Sequence, residues 1–143
     1  MSIEENVKNW HGVLSGEFSG GLKQLLADDV VFLSPVVHTP QKGKILANMY
    51  LSAAAHMFQL DNPQSLFGSK NAKFWYVKEI LAERYSVLEF EAEVDGKYIN
   101  GVDIISWNDS GEITEFKVMI RPLQAVHALQ QHMLKMLEKT DKR

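Results

Sequence analysis

The chain has 143 residues, of which 45% are hydrophobic and 23% charged, with a formal net charge of −3 and no cysteine. This length and composition predict a single globular domain over residues 1–143, and the missing cysteines exclude disulfides, thiolate catalysis and cysteine metal sites. The scattered basic residues argue against nucleic-acid binding, no apolar run is long enough to span a membrane, and the acidic N-terminus is unlike a signal peptide, so we expect a cytoplasmic protein.

The N-terminal part of the chain predicts helices around one strand. Apolar residues at helical spacing indicate a first helix near residues 7–18, and a shorter one follows from 22 to about 29. Residues 30–35, VVFLSP, are β-branched and apolar and end at a proline, which is typical of a strand. A loop over 36–43 then leads into a third helix over 44–58.

The C-terminal part predicts an antiparallel meander and a last helix. Residues 73–80 are aromatic and β-branched, and in residues 88–94 apolar side chains alternate with three glutamates, which indicates a strand with one buried face. The turn sequence Asp95–Gly96 joins this strand to a return strand over 97–107. A third strand over 112–121 precedes the final helix. Helices separated in sequence from a consecutive antiparallel sheet imply the α+β class.

Two segments of the chain resemble a known superfamily. LLADDVVFLSP followed by GKILANMY, and NGVDIISWNDSGEITEFKVMIRP, resemble the pattern of nuclear transport factor 2-like (SnoaL-like) proteins. The resemblance covers nearly the whole chain. It implies a cone-like roll in which a curved antiparallel sheet wraps against N-terminal helices, with a C-terminal helix, an apolar pocket and a homodimer. The superfamily contains isomerases, cyclases, dehydratases and non-catalytic binders, so it implies no single activity.

Ketosteroid isomerases offer the nearest catalytic comparison. They carry a carboxylate base just before the proline that ends the first strand, where this chain has Ser34. Their first-helix tyrosine corresponds to Trp10, and their neutral aspartic acid on the return strand corresponds to Asp103. A serine cannot take a proton from carbon without a base of its own. The resemblance therefore argues for the pocket and against that isomerase chemistry.

Asp103 is the candidate catalytic residue. Strand alternation puts it on the same face as Ile105 and Trp107. If that face points inward, desolvation raises the pKa of the carboxyl group and suits it to acid–base chemistry. In the alternative arrangement Val102 and Ile104 point inward, and Asp103 faces solvent or a partner.

The remaining candidates are weighed against ordinary structural roles. His38, in the loop after the first strand, is a weaker catalytic candidate that could shuttle protons, or an ordinary loop histidine. The five-residue spacing of His127 and His132 does not suit a metal pair on a helix, and no nucleotide-binding motif is present, so we expect no metal and no cofactor. The residues expected to line the pocket, or alternatively to pack in the core, are Trp10, Ser34, Tyr50, Phe58, Trp75, Phe90, Trp107 and Phe116.

Three functional hypotheses follow. The first is a pocket protein for a small hydrophobic ligand. The second is a cofactor-free isomerase, cyclase or dehydratase for a cyclic or polyketide-like substrate, with Asp103 as acid or base and Tyr50, Trp10 or His38 orienting it. The third is a non-catalytic homodimeric interaction module whose cavity is filled by its own aromatic side chains. No nucleic-acid or membrane partner is expected.

Overall fold

The computed structural model describes residues 2–57, 74–94 and 96–141. In chain order the elements are α1 (Ile3–Ser15), α2 (Gly21–Leu25), β1 (Leu26–Leu33), β2 (Gln41–Lys42), α3 (Lys44–Met57), β3 (Phe74–Leu81), β4 (Tyr85–Val94), β5 (Lys97–Trp107), β6 (Ile113–Arg121) and α4 (Leu123–Asp141). No helix in these described ranges is long and apolar enough to cross a membrane.

The strands form one six-stranded sheet in the order β2-β1-β6-β5-β4-β3. The sheet is curved and not closed, and four helices accompany it in the described part of the chain, as the α+β prediction required. Its pairings are antiparallel except that β1 runs parallel to β6. Register shifts interrupt β3, β6 and the β1–β6 pair, and such irregularities bend the strands of a sheet locally.

The predicted helices and strands are present, but several bounds differ. Helix α1 ends at Ser15 and not near 18, β1 spans Leu26–Leu33 and not 30–35, and the predicted loop over 36–43 contains the short strand β2. The predicted second helix to about Asp29 is too long, because α2 ends at Leu25 and the backbone of Leu26 is already extended. Leu26 pairs with Ile113 on β6, so the chain from this residue onward belongs to the sheet. Pairing with a strand that is far away in sequence overrides the local helical spacing of the leucines.

One face of the sheet forms the core. In β4 the buried positions alternate through Leu88, Phe90, Ala92 and Val94, and the glutamates between them keep some exposure, as the period of two predicts. Helix α1 begins with a capping box between Ser2 and Glu5. Its apolar stripe packs on the core. The buried members of that stripe are Ile3, Val7, Trp10 and Leu14.

Gly101 on β5 makes room for an aromatic ring at the centre of this face. A Cβ atom at Gly101 would lie 2.5 Å from Cζ of Phe90 and 2.7 Å from both Cγ2 of Ile120 and the carbonyl oxygen of Met119. Phe90 is directly opposite Gly101 in the β4–β5 register and is almost fully buried. The position therefore needs glycine for close packing.

We expect Gly101→Ala to destabilise the fold by about 1–3 kcal/mol, because the added methyl group overpacks the core and displaces the Phe90 ring. Gly12→Ala is the matched control: a Cβ atom there would meet Phe18 at an ordinary 3.4 Å, and alanine favours the helix by up to about 1 kcal/mol. Urea unfolding of the two variants measures both effects. Equal stabilities would contradict the packing argument.

Candidate functional site

An apolar cavity lies between the inner face of the sheet and the helices. Its volume, measured as the space open to the centre of a water molecule, is about 60 Å³. Hydrophobic side chains from α1, β1, α3, β3, β4, β6 and α4 form most of its wall. The described lining residues are Trp10, Leu14, Phe32, Ser34, Pro35, Val36, Leu51, Ala54, Ala55, Phe74, Tyr76, Phe90, Asp103, Phe116, Val118, Ile120, Leu129 and Met133.

Three side chains in this wall form a hydrogen-bond chain. The indole Nε1–H of Trp10, on α1, donates to the hydroxyl oxygen of Tyr76 at 3.0 Å. The Tyr76 hydroxyl, from β3, donates to Oδ2 of Asp103 on β5 at 2.6 Å. This last distance falls within the range of about 2.5–2.7 Å that is typical of a hydroxyl donating to a carboxylate. Among the described residues, it is also the one hydrogen bond made to the Asp103 carboxyl group.

Asp103 is buried, with 6% of its surface exposed. Desolvation raises the pKa of its carboxyl group from 3.8 to about 7, while the hydrogen bond from Tyr76 lowers the pKa and opposes part of that rise. The charged and neutral forms are therefore both populated near neutral pH. A carboxyl group in this state can give or accept a proton in a water-poor site.

Tyr76 stays a hydrogen-bond donor across this pH range. Burial raises the pKa of its hydroxyl well above 10.0, and the Asp103 charge and their hydrogen bond add to the rise. The residue as a whole is half-buried and lines the cavity, while its hydroxyl group is buried. Since the oxygen already accepts from Trp10, the orientation of the hydroxyl toward Asp103 is fixed.

The structure brings five of the sequence-predicted residues into the cavity wall: Trp10, Ser34, Phe90, Asp103 and Phe116. For Asp103 the inward arrangement is the one observed, because alternate residues of β5 from Ile99 to Trp107 are buried. The bulky aromatic residues Trp10 and Phe90 leave the cavity open instead of filling it.

Four other predicted residues do not line this cavity, namely His38, Tyr50, Trp75 and Trp107. His38 is exposed in its loop. Tyr50 stacks on Phe32 with ring centroids 5.9 Å apart, one layer behind the wall. Trp75 occupies the β3 position between two lining residues, so alternation directs it to the other face of the sheet.

Trp107 is buried farther along β5, where its Nε1–H donates to Oγ of Ser86 at 3.1 Å. Phe58, also predicted to line the pocket, lies outside the described residues. Because the hydrogen bond to the Asp103 carboxyl group comes from Tyr76, neither Tyr50 nor His38 orients Asp103, although the sequence suggested both.

Tyr76 is the functional residue that sequence reasoning missed. Period-two alternation puts Tyr76 on the same strand face as Phe74, and both line the cavity. That alternation could have marked Tyr76, but the sequence does not show which face of β3 is buried. Farther along, residues 77–80 are all exposed, so the strand has no clean amphipathic pattern.

The described residues contain no group of three or more His, Asp or Glu side chains that could hold a metal ion. The polar groups of the cavity are instead an indole, two hydroxyls and one carboxyl group, which suit hydrogen bonding and proton transfer.

Solved structures with the same architecture place the chain among known folds. A steroid delta-isomerase from Pseudomonas aeruginosa is 29% identical and superposes with a TM-score of 0.83, covering 99% of this chain and 95% of that one. A nuclear transport factor 2-like protein of unknown function from Mesorhizobium loti is 17% identical with a TM-score of 0.64, over 84% and 91% of the two chains. The chain has the nuclear transport factor 2-like fold.

This fold also occurs in SalBIII, an epoxide hydrolase/cyclase-like enzyme with a role in pyran ring formation in salinomycin. It is 11% identical with a TM-score of 0.59, over 82% of this chain and 89% of that one. No protein-family model and no curated protein sequence matches the chain. The nuclear transport factor 2-like neighbours thus include isomerase and cyclase enzymes, and the ketosteroid isomerase resemblance drawn from the sequence is confirmed.

The raised pKa of Asp103 makes stability depend on pH. Between the unfolded value of 3.8 and the folded value of about 7, the folded state binds one more proton than the unfolded state. The free energy of unfolding therefore falls as pH rises through this window, by up to roughly 4 kcal/mol, and stays low above it. We expect Asp103→Asn to remove this fall and to be the more stable protein at pH 8.

Urea unfolding from pH 4 to pH 8 measures the effect. Asp29→Asn is the matched control for the Asp-to-Asn change, because Asp29 is an exposed aspartate on β1, away from the cavity. Parallel wild-type and Asp103→Asn curves would contradict the assignment.

Tyr76→Phe removes the one hydrogen bond among described residues that holds down the pKa of Asp103. We expect the carboxyl group of this variant to titrate above about 7, because only the desolvation remains. The Cγ resonance of Asp103, followed by ¹³C NMR against pH, reports the midpoint. Tyr50→Phe keeps the Tyr76 hydroxyl and serves as control, with an unchanged midpoint. A midpoint in Tyr76→Phe at or below the wild-type value would show that the hydrogen bond does not act on Asp103.

Proposed function

We propose that the protein is a cofactor-free acid–base catalyst that acts at an oxygen atom of a small, mostly apolar molecule. The observation that carries the proposal is the Asp103 carboxyl group, bound by Tyr76 in an apolar cavity with a pKa of about 7. Leaving a carboxyl group in such surroundings costs stability, and perturbed carboxyl groups in clefts concentrate at functional sites. Isomerase and cyclase relatives of this fold add support.

The proton would move between Asp103 and the ligand oxygen. Oδ2 accepts from Tyr76, so Oδ1 is the oxygen that would carry the transferable proton. As that proton leaves, negative charge develops on the carboxyl group, and the Tyr76 hydroxyl stabilises it. Trp10 would act as a positioning residue, because its N–H holds the Tyr76 oxygen. Asp103 would recover its proton from the substrate or from water, which completes an isomerisation, cyclisation or dehydration.

The cavity size points to a compact substrate. A cavity needs about 10–15 Å³ open to the centre of a water molecule to hold one such molecule, and this cavity offers about 60 Å³. It therefore suits a compound of one or two rings. Its mainly hydrocarbon wall favours an apolar body, and the hydrogen-bond chain favours a carbonyl, epoxide or hydroxyl oxygen at one end.

A second candidate function is non-catalytic binding of a small hydrophobic ligand. The observation that favours it is Ser34, which stands in the cavity wall where ketosteroid isomerases carry their base. With one titratable carboxyl group and no second base among the described lining residues, the site could hold a ligand without converting it.

Homodimerisation and a cytoplasmic location stay predictions. The surface available to a second copy is the outer face of the sheet. Val102 is opposite Met119 there, and Val87 is opposite Ile104. Half of the Met119 surface is exposed. These four apolar residues are neighbours on that face, and Glu89 and Lys117 stand beside them in the same cross-strand rows.

Activity assays can separate the two functions. Wild type and Asp103→Asn would be incubated with one- and two-ring enones, epoxides and tertiary alcohols, with products followed by mass spectrometry. We expect the wild type to convert one of these classes and Asp103→Asn to be slower by about 10²–10⁴-fold. The rate should fall above about pH 7, because a general acid must keep its proton.

Asp29→Asn and Tyr50→Phe are the controls and should retain wild-type rates. Equal conversion by wild type and Asp103→Asn would refute the catalytic role. Binding without conversion across the panel would favour the ligand-binding function instead.

A further inference from the structure

Ser34 lies level with Asp103 across the sheet. Leu33, the last residue of β1, is opposite Lys117 on β6 in the parallel pair. Continuing this register by one residue puts Ser34 level with Val118. Val118 is in turn opposite Asp103 on β5. Ser34, Val118 and Asp103 all line the cavity. Two spacings of about 4.8 Å between neighbouring strands therefore separate the Ser34 and Asp103 backbones, about 10 Å in total.

The Ser34 hydroxyl group has a proton to donate. Its Oγ accepts from the backbone N–H groups of Val36 at 3.1 Å and Val37 at 3.3 Å, in the turn that follows β1. A hydroxyl group has one donor hydrogen and two acceptor lone pairs, so these two bonds use the acceptor capacity. No described residue accepts its hydrogen. The turn thus fixes the oxygen and leaves its hydrogen without an acceptor among the described residues, in a side chain of the cavity wall.

The wall between these two groups is apolar. Val118 is the residue between them at the same level, and Phe116 and Ile120 flank it on the same face of β6. The described cavity wall therefore has a polar group at each side, Asp103 with Tyr76 on one and Ser34 on the other, with hydrocarbon in between.

Building on the proposed function, we propose that Ser34 is a second ligand-binding residue, which donates a hydrogen bond to an oxygen on the far side of the ligand from Asp103. The ligand class is then a small ring compound with two oxygen functions at opposite positions. Because both side chains rise from the same face of the sheet, the backbone spacing of about 10 Å also approximates the distance between their oxygens. Two hydrogen bonds of about 2.8 Å each then leave roughly 4–5 Å between the two ligand oxygens. A six-membered ring with oxygens at positions 1 and 4 matches this separation.

The test compares 1,4-cyclohexanedione with cyclohexanone, which lacks the second oxygen. Titrations followed by ¹H–¹⁵N NMR at the Trp10 indole N–H report binding at the Tyr76–Asp103 side. We expect Ser34→Ala to weaken binding of the dione about three- to tenfold, the usual effect of one neutral hydrogen bond. Binding of cyclohexanone should not change. The dione can bind in two equivalent orientations in both the wild type and Ser34→Ala. This statistical factor of about two therefore cancels when the affinities of the two proteins for the dione are compared.

Ser34→Thr keeps a hydroxyl group and should retain tight binding of the dione. If Ser34→Ala weakens both ketones equally, Ser34 serves only the turn and the inference fails. It also fails if Ser34→Ala leaves the affinity for the dione unchanged.

Asp103→Leu separates failure of the inference from failure of the proposed function. Suppose that Asp103→Leu abolishes binding of both ketones and Ser34→Ala affects neither. The Asp103 site would then stand, and the role of Ser34 would be overturned. If neither ketone binds to the wild type, or if both bind equally well to Asp103→Leu, the proposed function fails and the inference fails with it.

Discussion

The hydrogen bond between Tyr76 and Asp103 is the interaction on which the site depends. A carboxyl group placed in a hydrocarbon cavity loses its hydration, and without a partner its charged form would be strongly disfavoured. Tyr76 offsets part of this cost, so that the pKa of Asp103 is raised to about 7 but no further. Trp10 completes the chain by holding the Tyr76 oxygen. Burial and hydrogen bonding thus act in opposite directions and leave both protonation states accessible.

The sheet supplies the rigidity that this balance needs. Asp103 is on an interior strand, opposite Leu88 on one side and Val118 on the other, and the backbone there has little freedom to adjust. Gly101, two residues away, lets Phe90 pack against the same strand. Side chains held by paired strands and close packing keep their hydrogen-bond geometry better than groups on loops. The acid therefore stands on an interior strand of the sheet and not on an edge strand.

The sequence predicted the strands that carry the site better than the individual side chains that form it. Alternation along β4 and β5 put Asp103 on one face with Ile105 and Trp107 but left open which face points inward, and the structure buries the face that carries Asp103. Tyr76 could not be placed in this way, since β3 shifts register after it and is exposed along its far half.

Aromatic character alone was a poor guide to the cavity. Trp75 and Tyr76 are neighbours in sequence, yet strand geometry directs them to opposite faces. Tyr50 does not line the cavity but stacks on Phe32, which does. Trp107 is buried farther along β5, where it donates a hydrogen bond to Ser86. Which residues meet in the cavity depends on strand pairing, including the parallel β1–β6 pair. The periodicity of the sequence within one strand does not reveal which strands pair. The same pairing brings Ser34 level with Asp103. With a hydroxyl donor at one side and a titratable acid at the other, the described site is better suited to protonating an oxygen atom than to removing a proton from carbon.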